Sequence, residues 1–344
     1  MSMYKGFIIK KIVTESSTIK SFYLEKEANE TLEDYKPGQF ITVKLSLADG
    51  ELIRNYTLSD SLGRDYFRLT IKREDHGISS RYFHDELKVG SVIQASAPRG
   101  DFHLETETNN PVVLISGGVG ITPMLSMQEY IIKNQPTRPV HFLHSSLNKS
   151  VRPMTSRLRE VDKEYRNVSI TIFHSSPEGG EQKGVDFDEA GFITKDHLQN
   201  AVKANTDYYI CGPVPFMEAM YGHLQSLGIS QDYIHYEFFG EGKPFGRAPI
   251  FKDSSSISTN NIRVNFIKSK LEVPWDSSHA NLLEFAEAKG MKPPSSCRMG
   301  TCSTCETRLL KGKINYEPEP FMEPEEGNIL ICCAFPTGDI EMDL

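Results

Sequence analysis

Cys297-Arg298-Met299-Gly300-Thr301-Cys302-Ser303-Thr304-Cys305 decides how the last quarter of the chain folds. Its cysteines are separated by four residues and then two, which is the ligand loop of a 2Fe-2S cluster lacking only a distant fourth thiolate. Cys332 supplies that thiolate, in the run Asn328-Ile-Leu-Ile-Cys-Cys-Ala-Phe335. Bridging sulfides draw backbone N–H donors toward them, so the residues between ligands must be small, as Gly300, Thr301, Ser303 and Thr304 are. Read as a strand, the run sends the adjacent Cys332 and Cys333 to opposite faces, so that only one of them ligates. The alternative metal is zinc, because Cys302 and Cys305 form one knuckle, but zinc sites pair two such knuckles and no second one is present.

Working outward, residues 281–289 (Asn-Leu-Leu-Glu-Phe-Ala-Glu-Ala-Lys) read as a helix before the cysteine loop. With Cys332 behind it, the segment 261–344 resembles a plant-type ferredoxin, which implies an α+β β-grasp fold. A Gln often follows the fourth ligand in that family, and this chain has Cys333 there.

At 344 residues the chain is long enough for two or three domains. Five of its six cysteines follow residue 296, which argues against a disulfide framework spread through the fold. A net charge of −8 gives no general affinity for nucleic acid, and no apolar run approaches the length needed to span a membrane. The opening Met-Ser-Met-Tyr-Lys-Gly-Phe lacks the apolar core of a signal peptide, so a cytoplasmic location is expected.

Residues 1–105 read as short strands with a period of two, at 7–13, 20–24, 40–45 and 66–73. Turns at Pro37-Gly38, Asp49-Gly50, Leu62-Gly63 and Val89-Gly90 separate them, and one short helix is expected near 80–87. That is the pattern of a small antiparallel β-barrel. Within it lies Arg54-Asn55-Tyr56-Thr57-Leu58-Ser59, whose residues taken alone are ordinary for a strand surface.

After Asn110-Pro111 the pattern changes to a buried strand, Val112-Val-Leu-Ile-Ser116, the loop Gly117-Gly118-Val119-Gly120-Ile121-Thr122-Pro123, and a helix to about residue 133. Thr122 is expected to cap that helix, with Pro123 in its first turn. Gly117, Gly118 and Gly120 would let a pyrophosphate approach the backbone and the helix N-terminus, or would merely serve a turn needing positive φ. Further strands at 140–145, 168–174 and 207–210 complete an α/β domain with a parallel sheet over 106–240. The Pro-, Gly- and Ser-rich stretch 241–260 reads as a linker.

Order turns these pieces into a signature. Lys36-Pro37-Gly38-Gln39-Phe40, Arg54 to Ser59, Gly77-Ile78-Ser79-Ser80, the glycine loop, Cys211-Gly212-Pro213 and Tyr236-Glu237-Phe238-Phe239-Gly240 follow one another as in the ferredoxin-NADP reductase superfamily. The reductase half of flavohaemoglobins is the most similar branch. The resemblance implies that Arg54 and Asn55 bind the flavin, with Arg54 on its phosphate, that Tyr56 packs on the ring, and that Thr57 hydrogen-bonds near N5. It implies further that Gly77, Ser79 and Ser80 open a helix receiving a flavin phosphate, unless those serines simply cap the helix. Cys211, Gly212 and Pro213 would shape the nicotinamide pocket, with Cys211 a small buried residue rather than a redox nucleophile. Glu237 and Phe239 would close the flavin site, so Thr57, Cys211 and Glu237 are the expected catalytic group.

FAD is expected, FMN being the cofactor of phthalate-dioxygenase-type reductases that share the module order. NADH is preferred to NADPH from the resembling families. Against that preference, Ser145-Ser-Leu-Asn-Lys149-Ser-Val-Arg152 holds no acidic residue for a ribose 2'-hydroxyl, and Lys149 and Arg152 would welcome a 2'-phosphate.

Reduced nicotinamide gives up two electrons together and a 2Fe-2S centre takes one, so a flavin must stand between them. The expectation is an NAD(P)H-dependent iron-sulfur flavoprotein reductase serving a redox partner, either an oxygenase component or a hybrid cluster protein, as in reductases of Rieske oxygenases and phenylacetyl-CoA epoxidase. The rivals are a zinc-stabilised nucleotide-binding or redox-sensing module without turnover, and an oxygen-consuming oxidase in which a cluster has no purpose.

Overall fold

The protein is described as a computed structural model over residues 4–27, 31–47, 50–60, 62–202, 205–239, 262–295, 298, 300, 304–317, 320 and 324–344. The expected linker at 241–260 lies outside them. The chain divides into two compact units, Met1–Leu52 with Tyr56–Gly246, and Arg247–Leu344 with Ile53–Asn55.

The first unit opens with strands β1 (Lys5–Thr14), β2 (Ile19–Lys26), β3 (Phe40–Leu47), β4 (Gly50–Thr57) and β5 (Phe67–Lys72), then helix α1 (Ile78–Arg81) and strand β6 (Val92–Ala95). They form one six-stranded sheet in the order β4-β3-β6-β1-β2-β5, and its two ends meet where Leu58 bridges Leu69. The barrel so closed is filled by alternating side chains such as Phe7, Ile9, Phe22, Leu24, Ile41 and Val43. Alternation is imperfect in β2 because Ser21 is also buried, its hydroxyl paired with that of Thr70 at 2.8 Å. The helix expected at 80–87 starts earlier and continues beyond α1 as a π-helical turn over Tyr82–Glu86.

The same unit continues with β7 (Val112–Gly117), α2 (Ile121–Asn134), β8 (Val140–Ser146), α3 (Thr155–Glu164), β9 (Val168–His174), β10 (Glu189–Ala190), α4 (Lys195–Gln199), β11 (Asp207–Cys211), α5 (Val214–Ser226) and β12 (Ile234–Glu237). These strands make a parallel sheet ordered β10-β9-β8-β7-β11-β12. Every residue of β7 is buried, as a central parallel strand covered on both faces requires. The chain runs one way from β7 to β10 and returns to β11 on the other side, so the switch point lies between β7 and β11. Arg138, wholly buried, donates to the carbonyls of Asn110 and Glu105 at 2.7 and 2.8 Å and so pins the segment leading into this sheet.

The second unit holds β13 (Arg263–Phe266), β14 (Leu271–Pro274), α6 (Leu282–Ala288), β15 (Glu306–Lys311), β16 (Ile314–Tyr316), β17 (Asn328–Leu330), β18 (Ala334–Pro336) and β19 (Ile340–Met342). Its main sheet is ordered β14-β13-β19-β15-β17, with β13 and β19 parallel, and β16 pairs with β18 apart from it. Helix α6 is capped by Asn281, whose side chain accepts from the Glu284 amide at 2.9 Å, and buries Leu282, Leu283, Phe285 and Ala286 in the core.

Candidate active site

Thr57 ends β4 and is buried. Glu237 ends β12, opposite Cys211 in the β11 register. The Thr57 hydroxyl donates to the Glu237 carboxyl, so the barrel and the parallel sheet meet at this pair. Burial pushes the carboxyl up to about 8, Asp101 adding to the rise and Thr57 opposing it. Glu237 is therefore protonated at neutral pH. Its Oε2 is buried with no hydrogen-bond partner among the described residues, a deficit worth about 1–3 kcal/mol that a bound group could relieve. Burial, then the neighbouring Glu237, also holds the Cys211 thiol well above the usual thiol range. Cys211 is thus a neutral apolar wall and not a thiolate.

The other barrel residues named from the sequence lie close by in the chain. Tyr56 meets Phe83 edge-on at 5.2 Å and shares a 2.7 Å hydrogen bond with the Ser79 hydroxyl, which fixes its ring against the α1 turn. Arg54 is exposed and donates to the Ile53 carbonyl at 2.7 Å, and Asn55 is half-buried. Gly77 precedes α1 without any side-chain cap, so neither serine fills the capping role. Ser80 instead donates to the Gly77 carbonyl at 3.2 Å and accepts from the Glu74 amide at 3.1 Å.

The glycines divide by purpose. A Cβ on Gly120 would come within 2.3 Å of the Cys211 carbonyl oxygen, and one on Gly212 within 2.7 Å of the Phe216 ring. Both are needed because the turn after β7 packs directly on the turn after β11. Gly118 differs, with φ of +55° and nothing within 4 Å of its missing Cβ. It alone of these glycines faces open space, which suits a backbone kept bare for a phosphate group. Thr122 does not cap α2: the helix begins at Ile121, and the buried Thr122 hydroxyl donates back to the Val119 carbonyl at 3.2 Å. Pro213 immediately precedes α5, and Phe239 is exposed at the end of the described segment.

Lys149 and Arg152 do not stand ready for a 2'-phosphate, as the sequence suggests. The Lys149 ammonium pairs with Asp186 at 2.7 Å, and Arg152 is 1% exposed and donates to His174 at 3.0 Å. These partners lie too far along the chain for spacing to reveal them.

In the second unit, Cys297 and Cys302 lie outside the described residues. Cys305 and Cys332 are both buried. The Gly300 amide donates to the Cys332 sulfur at 3.2 Å, the kind of N–H···S contact a cluster ligand accepts. The strand reading of this run is corrected: β17 stops at Leu330, and residues 331–333 form a turn, so alternation does not separate the two thiols. What separates them is bonding, since the Cys333 thiol donates to the Leu330 carbonyl at 3.4 Å. The guanidinium of Arg298, whose φ is +56°, forks onto both Glu287 oxygens of α6 at 3.0 and 2.6 Å, a tether that no motif announces.

Residues 7–104 match the oxidoreductase FAD-binding domain, 114–221 the oxidoreductase NAD-binding domain, and 265–337 the 2Fe-2S iron-sulfur cluster binding domain. The chain thus carries an oxidoreductase FAD-binding domain, an oxidoreductase NAD-binding domain and, after them, a 2Fe-2S domain that replaces the zinc alternative. Its module order is that of phthalate dioxygenase reductase, a structure whose fold it shares with a TM-score of 0.62 at 22% identity, covering 99% of this chain and 98% of that one. That protein is described as modular, carrying electrons from pyridine nucleotides to its 2Fe-2S centre.

The FAD/NAD-binding domain of a Vibrio cholerae nitric oxide dioxygenase is 28% identical, with a TM-score of 0.62 over 69% of this chain and 99% of that one. A flavohemoprotein of Bacillus thuringiensis subsp. konkukian is 39% identical over 246 residues, which is 69% of this chain and 61% of the relative. Flavohemoprotein A of Dictyostelium discoideum is 38% identical over 252 residues, 69% of this chain and 60% of the relative. The chain therefore spans about three fifths of the flavohemoproteins it matches. Among the described residues no helix is long and apolar enough to cross a membrane.

Proposed function

We propose that this chain is a reductase that takes electrons from NADH and delivers them, through FAD and a 2Fe-2S cluster, to a separate redox protein. The observation that carries the reading is the Thr57–Glu237–Cys211 group at the meeting of barrel and parallel sheet, in a chain that also holds a 2Fe-2S domain. The bound flavin supplies the exchange of an electron pair for single electrons, which neither the nicotinamide nor the cluster can do alone.

The protein's part is placement. Arg54 offers a forked cation to the flavin phosphate, with Asn55 beside it in sequence, and Tyr56 holds the ring face that Phe83 and Ser79 orient. Gly77, Ser79 and Ser80 present backbone amides at the uncapped start of α1. The Thr57 hydroxyl, its proton given to Glu237, offers an acceptor at the flavin edge, and the protonated Glu237 offers a donor there, its Oε2 having no other partner among the described residues. Cys211, Gly212 and Pro213 wall the nicotinamide side, Phe239 closes it, and Gly117, Gly118, Gly120 and Thr122 form the pyrophosphate turn. Cys297, Cys302, Cys305 and Cys332 hold the cluster. The modules run 1–105, 106–240 and 261–344, joined through 241–260.

The partner is a soluble redox protein, an oxygenase component or a hybrid cluster protein, with a basic docking face. Residues 262–344 hold nine Lys and Arg against thirteen Asp and Glu, a balance of −4, and no role with nucleic acid or membrane is assigned. A visible spectrum of the purified protein tests the reading, with bands of flavin and ferric cluster both bleached by anaerobic NADH as the expected result. A colourless protein, or one whose cluster stays oxidised while its flavin is reduced, would contradict it.

A further inference from the structure

In a doubly wound sheet the dinucleotide lies outside the strand C-termini at the switch point, its pyrophosphate on the first glycine turn and its adenosine ribose toward the end of the next strand. Here the next strand is β8, which ends at Ser146. Ser146 is the register partner of His174 at the end of β9, and the Ser175 and Ser176 amides donate to the Ser146 and Leu147 carbonyls at 2.9 and 2.8 Å. The ribose end is therefore built jointly by the loop after β8 and the loop after β9. The second loop brings the carboxylates that the first lacks.

Resting on the reductase reading above, we infer that this collar selects NADH over NADPH, with Glu178 as the acceptor for the ribose 2'-hydroxyl. Elimination leads to Glu178. One oxygen of Glu181 accepts from the Lys149 and Glu178 amides, each at 3.1 Å, and the other from His174. Asp186 accepts from the Lys149 ammonium and, at 2.9 Å, from the Gln182 amide. Glu178 is exposed, and only its Oε1 has a described side-chain contact, from the Asn148 amide at 2.8 Å. Asn148 is itself fixed, because its carbonyl accepts from the Ser150 hydroxyl at 2.7 Å and amide at 3.1 Å, which turns its NH2 toward Glu178.

Neither cation of the collar is open to a ligand: Lys149 is ion-paired with Asp186, and Arg152 is buried. Arg152 donates to His174 Nε2 and to the Asp186 backbone carbonyl, so the His174 ring proton sits on Nδ1 and is given to Glu181. A ring that accepts at Nε2 and donates at Nδ1 is neutral, and burial, opposed by Glu181, lowers its pKa in the same sense. Three carboxylates, Glu178, Glu181 and Asp186, then face two cations, Lys149 and Arg152, while Asp188 pairs with Arg159 at 2.9 Å. A free 2'-hydroxyl can donate into this collar. A 2'-phosphate meets net negative charge, a lysine already paired with Asp186 and an arginine that is 1% exposed.

Isothermal titration of the full-length, FAD-loaded protein with NAD+ and NADP+ tests the assignment. NAD+ is expected to bind at least about tenfold tighter, and Glu178→Gln to narrow that ratio to within about threefold. Lys149→Ala should change NADP+ affinity by less than about twofold, because its charge is already spent on Asp186. Equal or tighter NADP+ binding, an unchanged ratio in Glu178→Gln, or about a tenfold loss of NADP+ affinity in Lys149→Ala would each overturn it. Failure of both nucleotides to bind would remove the reductase reading as well, which separates that failure from a wrong preference.

Discussion

The Gly300 amide donates to Cys332 Sγ at 3.2 Å, and a methyl group on Gly300 would stand 2.9 Å from Cys333 Sγ. The two neighbouring thiols thus meet the same glycine in different ways, one through a hydrogen bond and the other through packing. Cys332→Ser is expected to abolish the cluster, as are Cys297→Ser, Cys302→Ser and Cys305→Ser, while NADH still reduces the flavin. Cys333→Ser should keep it. Iron and acid-labile sulfide counts check this, and cluster loss in Cys333→Ser with retention in Cys332→Ser would reverse the ligand assignment.

Gly300→Ala should be nearly as damaging. Its φ of +73° costs an L-residue about 1–2 kcal/mol before the clash with Cys333 is counted. A lower cluster content and a lower melting temperature of the C-terminal module are the expected results.

Gly120→Ala and Gly118→Ala separate packing from ligand approach. Alanine at 120 would force apart the turns after β7 and β11 at a cost of about 1–3 kcal/mol, visible in thermal melts without nucleotide. Alanine at 118 meets nothing within 4 Å, so beyond a modest φ penalty its effect should appear as weaker NADH binding. Equal melting temperatures for the two variants would count against this division.

Glu237 gives a pH test. Its folded pKa of about 8 lies above the ordinary value of 4.5, so between those values the folded chain binds the extra proton. Stability from this group is complete below about 4.5 and is lost as pH rises toward 8, with a slope of up to about 1.4 kcal/mol per pH unit. Chemical denaturation of the flavin-free protein at several pH values should show that slope, and Glu237→Gln should remove it.

Salt dependence bears on the partner. Glu317, Glu319, Glu323, Glu325 and Glu326 crowd the sequence between Cys305 and Cys332. Partner-dependent turnover should fall as the screening length shrinks to about 8 Å and below, and changing these five residues to Gln should flatten the response. Salt-insensitive turnover with the true partner would oppose it.

The order of modules was legible because each carries a local motif: the cysteine loop, the Arg54–Ser59 strand and the glycine turn are contiguous stretches. What escaped the sequence depends on distant chain segments. Asn148 meets Glu178 across thirty residues, so a loop that looked basic became an acidic collar only on folding. Thr122 looked like a cap because spacing does not reveal that the preceding 3-10 turn already starts the helix at Ile121. The turn at 331–333 was hidden because strands of three residues are too short for a period of two to register.

The fork from Arg298 to Glu287 bears on how the cluster is built. Assembling four thiolates around one centre means closing a chain loop, and the entropy of that closure grows with the length left unanchored. Arg298 adjoins Cys297 in sequence and is already held by α6, whose own core of Leu282, Leu283 and Phe285 uses no metal. A cluster assembled on the four cysteines would thus meet a chain already anchored at Arg298, which shortens the closure it has to make.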